Sequence, residues 1–235
     1  MKLTNVTFTG IDEETDIDRL EDIQLRYPYA EFGLLLSAGW NTNTYGNRYP
    51  NPVIASLLAD RGLNLSLHLC GDFARTAAET GLYLPFTVSL IQGLPCIFRR
   101  CQLNINAMRY MKQLDKDYPL PQGMEEVIIQ AADAVQCRRL LDCGLIKPGR
   151  AVLIDPSGGR GKDVPFEPVT CPGLKVGYAG GITPDNVEEK ILPLLSHEEE
   201  GEFWIDMETG VRTDDWLDLD KVERVLEICN SIINN

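Results

Sequence analysis

Histidine is nearly missing from this chain: its 235 residues carry two, His68 and His197. The two lack metal-ligand spacing, and none of the seven cysteines (70, 96, 101, 137, 143, 171 and 229) forms a Cys-x-x-Cys pair. Both facts argue against a zinc site, and no motif calls for another metal or an organic cofactor. An odd, scattered cysteine count fits reduced thiols in a cytoplasmic protein rather than a disulfide framework. Long apolar runs are absent too. Phe32–Leu36 falls far short of the roughly 20 residues a membrane helix needs. The N-terminus has no apolar core and soon turns acidic, so no signal peptide is expected. Positive charge is in deficit: 22 Lys and Arg stand against 35 Asp and Glu, for a net charge of −13. Generic binding to nucleic acid is disfavoured. An anionic ligand must then be held locally, by backbone N–H groups or a few placed cations.

The remaining composition is ordinary for a globular protein, with 44% hydrophobic and 24% charged residues. No composition break marks a linker, so residues 1–235 read as one domain. Short apolar runs alternate with helical patterns. Strands are predicted at Val6–Ile11, Glu31–Ser37, Leu65–Cys70, Arg99–Ile105, Glu125–Ala131, Ala151–Asp155, Lys175–Ala179 and Phe203–Met207. Helices are predicted at Asp16–Tyr27, Pro52–Arg61, Phe73–Thr80, Ala107–Leu114, Ala134–Cys143, Pro184–Leu195 and Leu219–Ile233, with a small helix after the sixth strand. Eight βα units of this length predict a single (β/α)8 TIM barrel; an open doubly wound sheet is the alternative.

In such a barrel, reactive groups belong at the C-terminal ends of strands. Alternation along each strand sorts inward from outward side chains. Leu65, Leu67 and Leu69 suit the helix layer, which turns Ser66, His68 and Cys70 inward. The same reasoning collects Thr9, Gln102, Asn104, Asp155 and Asp206 in the upper interior. That polar density is costly in a purely structural core and natural in a ligand site.

Three segments carry the chemistry. DPSGGRGK (155–162) places a carboxylate at a strand end before a loop containing Gly158 and Gly159. Asp155 reads as an acid–base group, or else as an ordinary loop aspartate. AGGITPDNV (179–187) and DMETGVR (206–212) follow the last two strands. The Gly180–Gly181 and Thr209–Gly210 turns there suit a phosphate, which such loops commonly bind, or are turn glycines only. Glu208 opposes an anion, and Arg212 is a candidate to compensate. Arg48, after the second strand, is a further candidate contact or a solvated surface residue.

Together these pieces resemble phosphoribosylanthranilate isomerase. TFTGID (7–12), NRYPNP (47–52), CQLN (101–104), LIDPSGGRGK (153–162), AGGITPDNV and DMETGVR follow the order of that family's motifs. The resemblance implies a barrel enzyme isomerising a small phosphorylated sugar conjugate, acting as a monomer or homodimer without membrane or nucleic-acid partners. It implies Asp155 as general acid, Arg48 as the holder of a substrate carboxylate, and Gly180, Gly181, Thr209 and Gly210 around the phosphate. Three positions depart from the family: Thr9 replaces its cysteine base, Asn104 its histidine, and Glu208 the first serine of its phosphate turn. A threonine hydroxyl does not take a proton from carbon unaided. His68 or Cys70 is the expected replacement base. A phosphosugar epimerase or lyase, or a binding barrel without catalysis, are the other readings.

Overall fold

The computed structural model describes residues 1–39, 46–59, 61–83, 97–158, 160–170 and 173–233. Gly159 and most of the irregular stretch 82–97 lie outside the described residues. Eight parallel strands close into a barrel in sequence order: β1 (Lys2–Thr9), β2 (Ala30–Ser37), β3 (Leu65–Cys70), β4 (Phe98–Asn106), β5 (Glu126–Ala131), β6 (Arg150–Ile154), β7 (Lys175–Ala179) and β8 (Glu202–Met207). The helices α1 (Ile17–Arg26), α2 (Ile54–Leu58), α3 (Gly71–Thr80), α4 (Met111–Leu114), α5 (Ala134–Asp142), α6 (Val187–Leu195) and α7 (Leu219–Ile233) alternate with the strands. This is the (β/α)8 TIM barrel that the pattern predicts. No helix among the described residues is long and apolar enough to cross a membrane.

Local chemistry sets the helix ends. Asp16 accepts the Arg19 N–H at 3.1 Å and opens α1; Asp133 accepts that of Gln136 at 2.7 Å and opens α5. Gly81, at φ +74°, closes α3 in the left-handed conformation where a side chain is disfavoured. Four helices differ from expectation. Helix α2 covers only Ile54–Leu58, since Ala59 turns to an extended backbone (φ −61°, ψ 144°). Ala107–Arg109 forms a 3-10 turn capped by Asn106, which separates it from α4. Regular α6 begins at Val187, because Asn186 Oδ1 accepts the Thr183 N–H at 2.8 Å and folds Thr183–Asn186 into a turn. The small helix expected between β6 and β7 does not occur among the described residues. Pro165 and Pro168 exclude it. The segment instead runs irregularly, with Phe166 and Val169 buried. It is pinned by Lys190 Nζ on the Val164 carbonyl at 2.8 Å and by the Val169 N–H on the Tyr178 hydroxyl at 2.8 Å.

Two apolar regions result. Leu65, Leu67 and Leu69 join the large cluster between barrel and helices. A smaller cluster of Ile128, Ala151, Leu153, Ala179 and Trp204 fills the inside on the β5–β8 side. Gly177 leaves the space that Trp204 occupies there: a Cβ on it would meet the indole. An antiparallel hairpin, β9 (Arg212–Thr213) and β10 (Trp216–Leu217), follows β8 and was not expected.

Candidate active site

An open cavity occupies the C-terminal mouth of the barrel. Strand register delivers its floor: Leu35 pairs with His68, His68 with Gln102, and Thr7 with Asp206. Thr9, Gln102, Asn104, His68 and Asp206 therefore face one another across the axis and line the cavity. Gly33 makes this possible. A Cβ there would stand 2.8 Å from Thr9 Oγ1 and 2.9 Å from His68 Nε2.

Asp206 is the centre of the polar cluster and is 5% exposed. Its Oδ1 accepts the Thr9 hydroxyl at 2.8 Å, and its Oδ2 accepts Gln102 Nε2 at 3.3 Å. His68 Nδ1 lies 4.0 Å from Oδ2. Burial raises the Asp206 carboxyl, opposed by His68 and the two hydrogen bonds. Burial also lowers His68, opposed by the charges of Asp206 and Glu31. Both shifts favour the neutral forms. The other imidazole nitrogen, Nε2, faces Ser66 Oγ at 3.0 Å.

Asp155 stands at the end of β6 on the opposite side of the cavity. The Ser157 N–H and hydroxyl both donate to its Oδ1, at 3.0 and 2.7 Å. This local turn fixes the carboxyl beside Gly180, whose added Cβ would be 3.8 Å from it. The Gly180–Gly181 and Thr209–Gly210 turns close the same cavity. Gly210 approaches the Ile182 carbonyl so closely that no side chain fits.

A cation at this end is Arg48, on a 3-10 turn (Gly46–Arg48). Its Nε lies 2.6 Å from Glu208 Oε1, and its Nη2 donates to Thr209 Oγ1 at 3.4 Å. Glu208 lines the cavity, and burial raises its carboxyl against the pull of Arg48 and Arg212. Arg212 is not the direct partner expected for it. Its guanidinium turns away to the Gly10 carbonyl at 3.0 Å and to Asp12 at 3.3 Å.

Two further expectations need correction. Cys70 points inward as the alternation predicts, but it does not line the cavity. Its sulfur accepts Asn104 Nδ2 at 3.0 Å, and burial pushes the thiol up to about 11, so it stays protonated near neutrality. Gly158 is exposed and does not line the cavity, whereas Gly161 does. Gln130, Ser157 and Gly161 are polar or glycine lining residues that the sequence reading missed, as it did the apolar Leu35, Ala179, Ile182 and Met207. Gln130 Nε2 donates to Asn104 Oδ1 at 3.1 Å; the apolar run Val127–Ile129 before it leaves no alternation to mark it.

Below the cavity, a salt bridge fills the interior on the β1–β4 side. Glu31 is 1% exposed and takes Arg100 Nε on one oxygen at 2.9 Å and Nη2 on the other at 2.5 Å. Thr7 donates to the same carboxylate at 2.7 Å. The guanidinium lies 4.6 Å from the Trp204 ring centroid. No group of three or more His, Cys, Asp or Glu among the described residues is arranged to hold a metal ion.

The comparisons with known proteins fit this geometry. A family model described as N-(5'phosphoribosyl)anthranilate (PRA) isomerase matches residues 102–228, more than half of the chain. The solved structure of N-(5'-phosphoribosyl)anthranilate isomerase from Pyrococcus furiosus superposes with a TM-score of 0.57. It is 14% identical, with 97% of this chain and 99% of that chain covered, and at this identity the likeness concerns the fold. No curated protein matches the sequence.

Proposed function

This chain belongs to the N-(5'-phosphoribosyl)anthranilate isomerase family, and we propose that it isomerises a small phosphorylated sugar conjugate by an Amadori-type proton transfer. The observation that carries this reading is one cavity with Asp155 on one side and the Asp206–Thr9–His68 cluster on the other. Between them stand the two glycine turns, suited to a phosphate.

The carboxyl groups divide the labour of acid and base. Asp155 acts as the general acid, delivering a proton to the ring oxygen as the C1–O bond breaks and the nitrogen lone pair forms C1=N. Asp206 takes the proton from C2, with Thr9 and Gln102 fixing the direction of its lone pairs. The enaminol so formed tautomerises: the C2 hydroxyl loses its proton, C1 gains one, and the product is a ketone. Asp155 ends ionised and Asp206 protonated, and exchange with water through the open mouth resets both. His68 acts on Asp206 through charge at 4.0 Å, opposing the effect of burial. Gln102 Oε1 is buried without a partner among the described residues and offers an acceptor to a sugar hydroxyl. Arg48 meets a carboxylate or phosphate at the rim.

The test follows the fluorescence decay of freshly made phosphoribosylanthranilate with the wild-type protein and with Asp155→Asn. Decay above the uncatalysed rate, reduced by about 10²-fold or more in the variant, supports the reading. Correctly folded wild-type protein that leaves the decay unchanged overturns it for this substrate.

A further inference from the structure

The hairpin between β9 and β10 turns at Asp214 and Asp215, which stand at φ +50° and +66°. Two successive positive φ angles are what a two-residue hairpin turn of this twist requires. Glycine, asparagine or aspartate take such places, glycine at least strain, and these are the two positive-φ residues other than glycine among the described residues. The strained choice has a visible use. Asp215 Oδ2 accepts the Asn47 N–H at 2.8 Å. Arg212 donates to the Asp215 carbonyl and, at 3.5 Å, to the Asn47 carbonyl. Both sides of residue 47 are thus held by the hairpin. The hairpin is itself anchored, since Asp12 Oδ2 accepts the Leu217 N–H at 2.8 Å and Arg212 Nη2 at 3.3 Å. The next residue is Arg48, which reaches Glu208 and Thr209 at the rim of the cavity.

We propose that Asp215 is a positioning residue: it accepts left-handed backbone strain in order to hold the Asn47 amide and so set Arg48 over the cavity. The functional part of this inference rests on reading Arg48 as a ligand contact. The backbone at 215 favours glycine, while the contact with Asn47 needs the carboxylate, so one substitution separates stability from positioning.

The experiment compares Asp215→Gly and Asp215→Asn with wild type. In Asp215→Gly the melting temperature stays level or rises, because glycine relieves the positive φ. Amide hydrogen exchange at Asn47 and Arg48 becomes about tenfold faster. KM for phosphoribosylanthranilate rises about fivefold, with kcat within about twofold. Asp215→Asn keeps an acceptor oxygen and stays near wild type in each readout. In an Arg48→Gln background the glycine substitution adds nothing to KM. Unchanged exchange, a melting temperature that falls together with affinity, or a KM effect that persists without Arg48 would each overturn the proposal. If the wild-type protein does not turn this substrate over, the isomerase reading fails, and the exchange measurement alone decides the positioning claim.

Discussion

The two halves of the barrel interior differ in kind. Strands β1–β4 send Thr7, Thr9, Glu31, Ser66, His68, Arg100 and Gln102 inward, all buried. The β5–β8 side packs Ile128, Ala151, Leu153, Ala179 and Trp204 against them. Polar groups taken out of water are costly unless partnered, and the polar half is partnered almost throughout. The apolar half keeps water away and holds the local dielectric low. It thereby strengthens the charge interactions across from it and raises the Asp206 carboxyl. Asp155, Asp206 and Glu208 are carboxylates that the β5–β8 side contributes at the mouth, above the apolar cluster. A reacting sugar there meets carboxylates on the apolar side and, across from them, the hydrogen-bonding groups of the polar side.

The sharpest break in this arrangement is Asp206→Asn. Loss of the proposed base lowers kcat/KM by about 10³-fold, read from the same fluorescence decay. The carboxyl also gives the wild type a pH signature with opposite signs for rate and stability. Turnover requires the ionised form, so it rises as pH climbs through the raised Asp206 value. The folded state holds this proton more tightly than the unfolded state does. Its contribution to stability is therefore present at low pH and is lost as pH rises from the ordinary carboxylate range through that raised value. Melting temperatures taken at steps between about pH 4 and pH 7 show that slope in the wild type and a flatter one in Asp206→Asn. Retained activity in the variant would move the base to His68.

Next in size is a paired test of the two halves. Arg100→Met leaves Glu31 buried and uncompensated, at a cost of about 3–5 kcal/mol. Leu153→Ala opens a cavity in the apolar cluster, at a cost of about 2–4 kcal/mol. Denaturant unfolding measures both. The difference lies in the remedy: adding Glu31→Gln to Arg100→Met recovers much of the loss, because the unpaired charge has gone. An unimproved double variant would show that packing against Trp204, rather than charge pairing, dominates the polar half.

The barrel itself was legible in the sequence, because eight short apolar runs each recur before a helical pattern. Most of the polar floor was legible too: alternation in β3 and β4 is enough to place His68, Gln102 and Asn104 together. Glu31 was harder to see, since it opens the apolar run of β2 that spans Phe32–Leu36. Gln130 follows Val127, Ile128 and Ile129 and is hidden in the same way. Parallel strands covered on both faces lose the alternation that marks inward positions. The hairpin turn gave no signal, because Asp-Asp is not a usual sequence for paired positive φ angles. The pairing of Arg48 with Glu208 depends on a contact across long sequence separation that no local pattern encodes.

That pair supports the smallest of these effects and locates where the two walls meet. Glu208 follows β8, lines the cavity, and holds Arg48 at 2.6 Å. In the absence of ligand it neutralises the cation that an incoming anion would use. It also lies next to the Thr209–Gly210 turn, where a phosphate would feel its charge. Two charges about 5 Å apart at an effective dielectric near 20 repel by about 3 kcal/mol, and Arg48 offsets most of this. Glu208→Gln removes the repulsion and releases Arg48 while preserving size and a hydrogen-bonding oxygen. Sulfate, as a competitive probe of the anion site, should then bind about five- to tenfold more tightly, a gain of about 1 kcal/mol. Weaker binding in Glu208→Gln would reverse the assignment. It would mean that the carboxylate's main effect is to hold Arg48 in its productive orientation, so that the glutamate aids anion capture more than it opposes it.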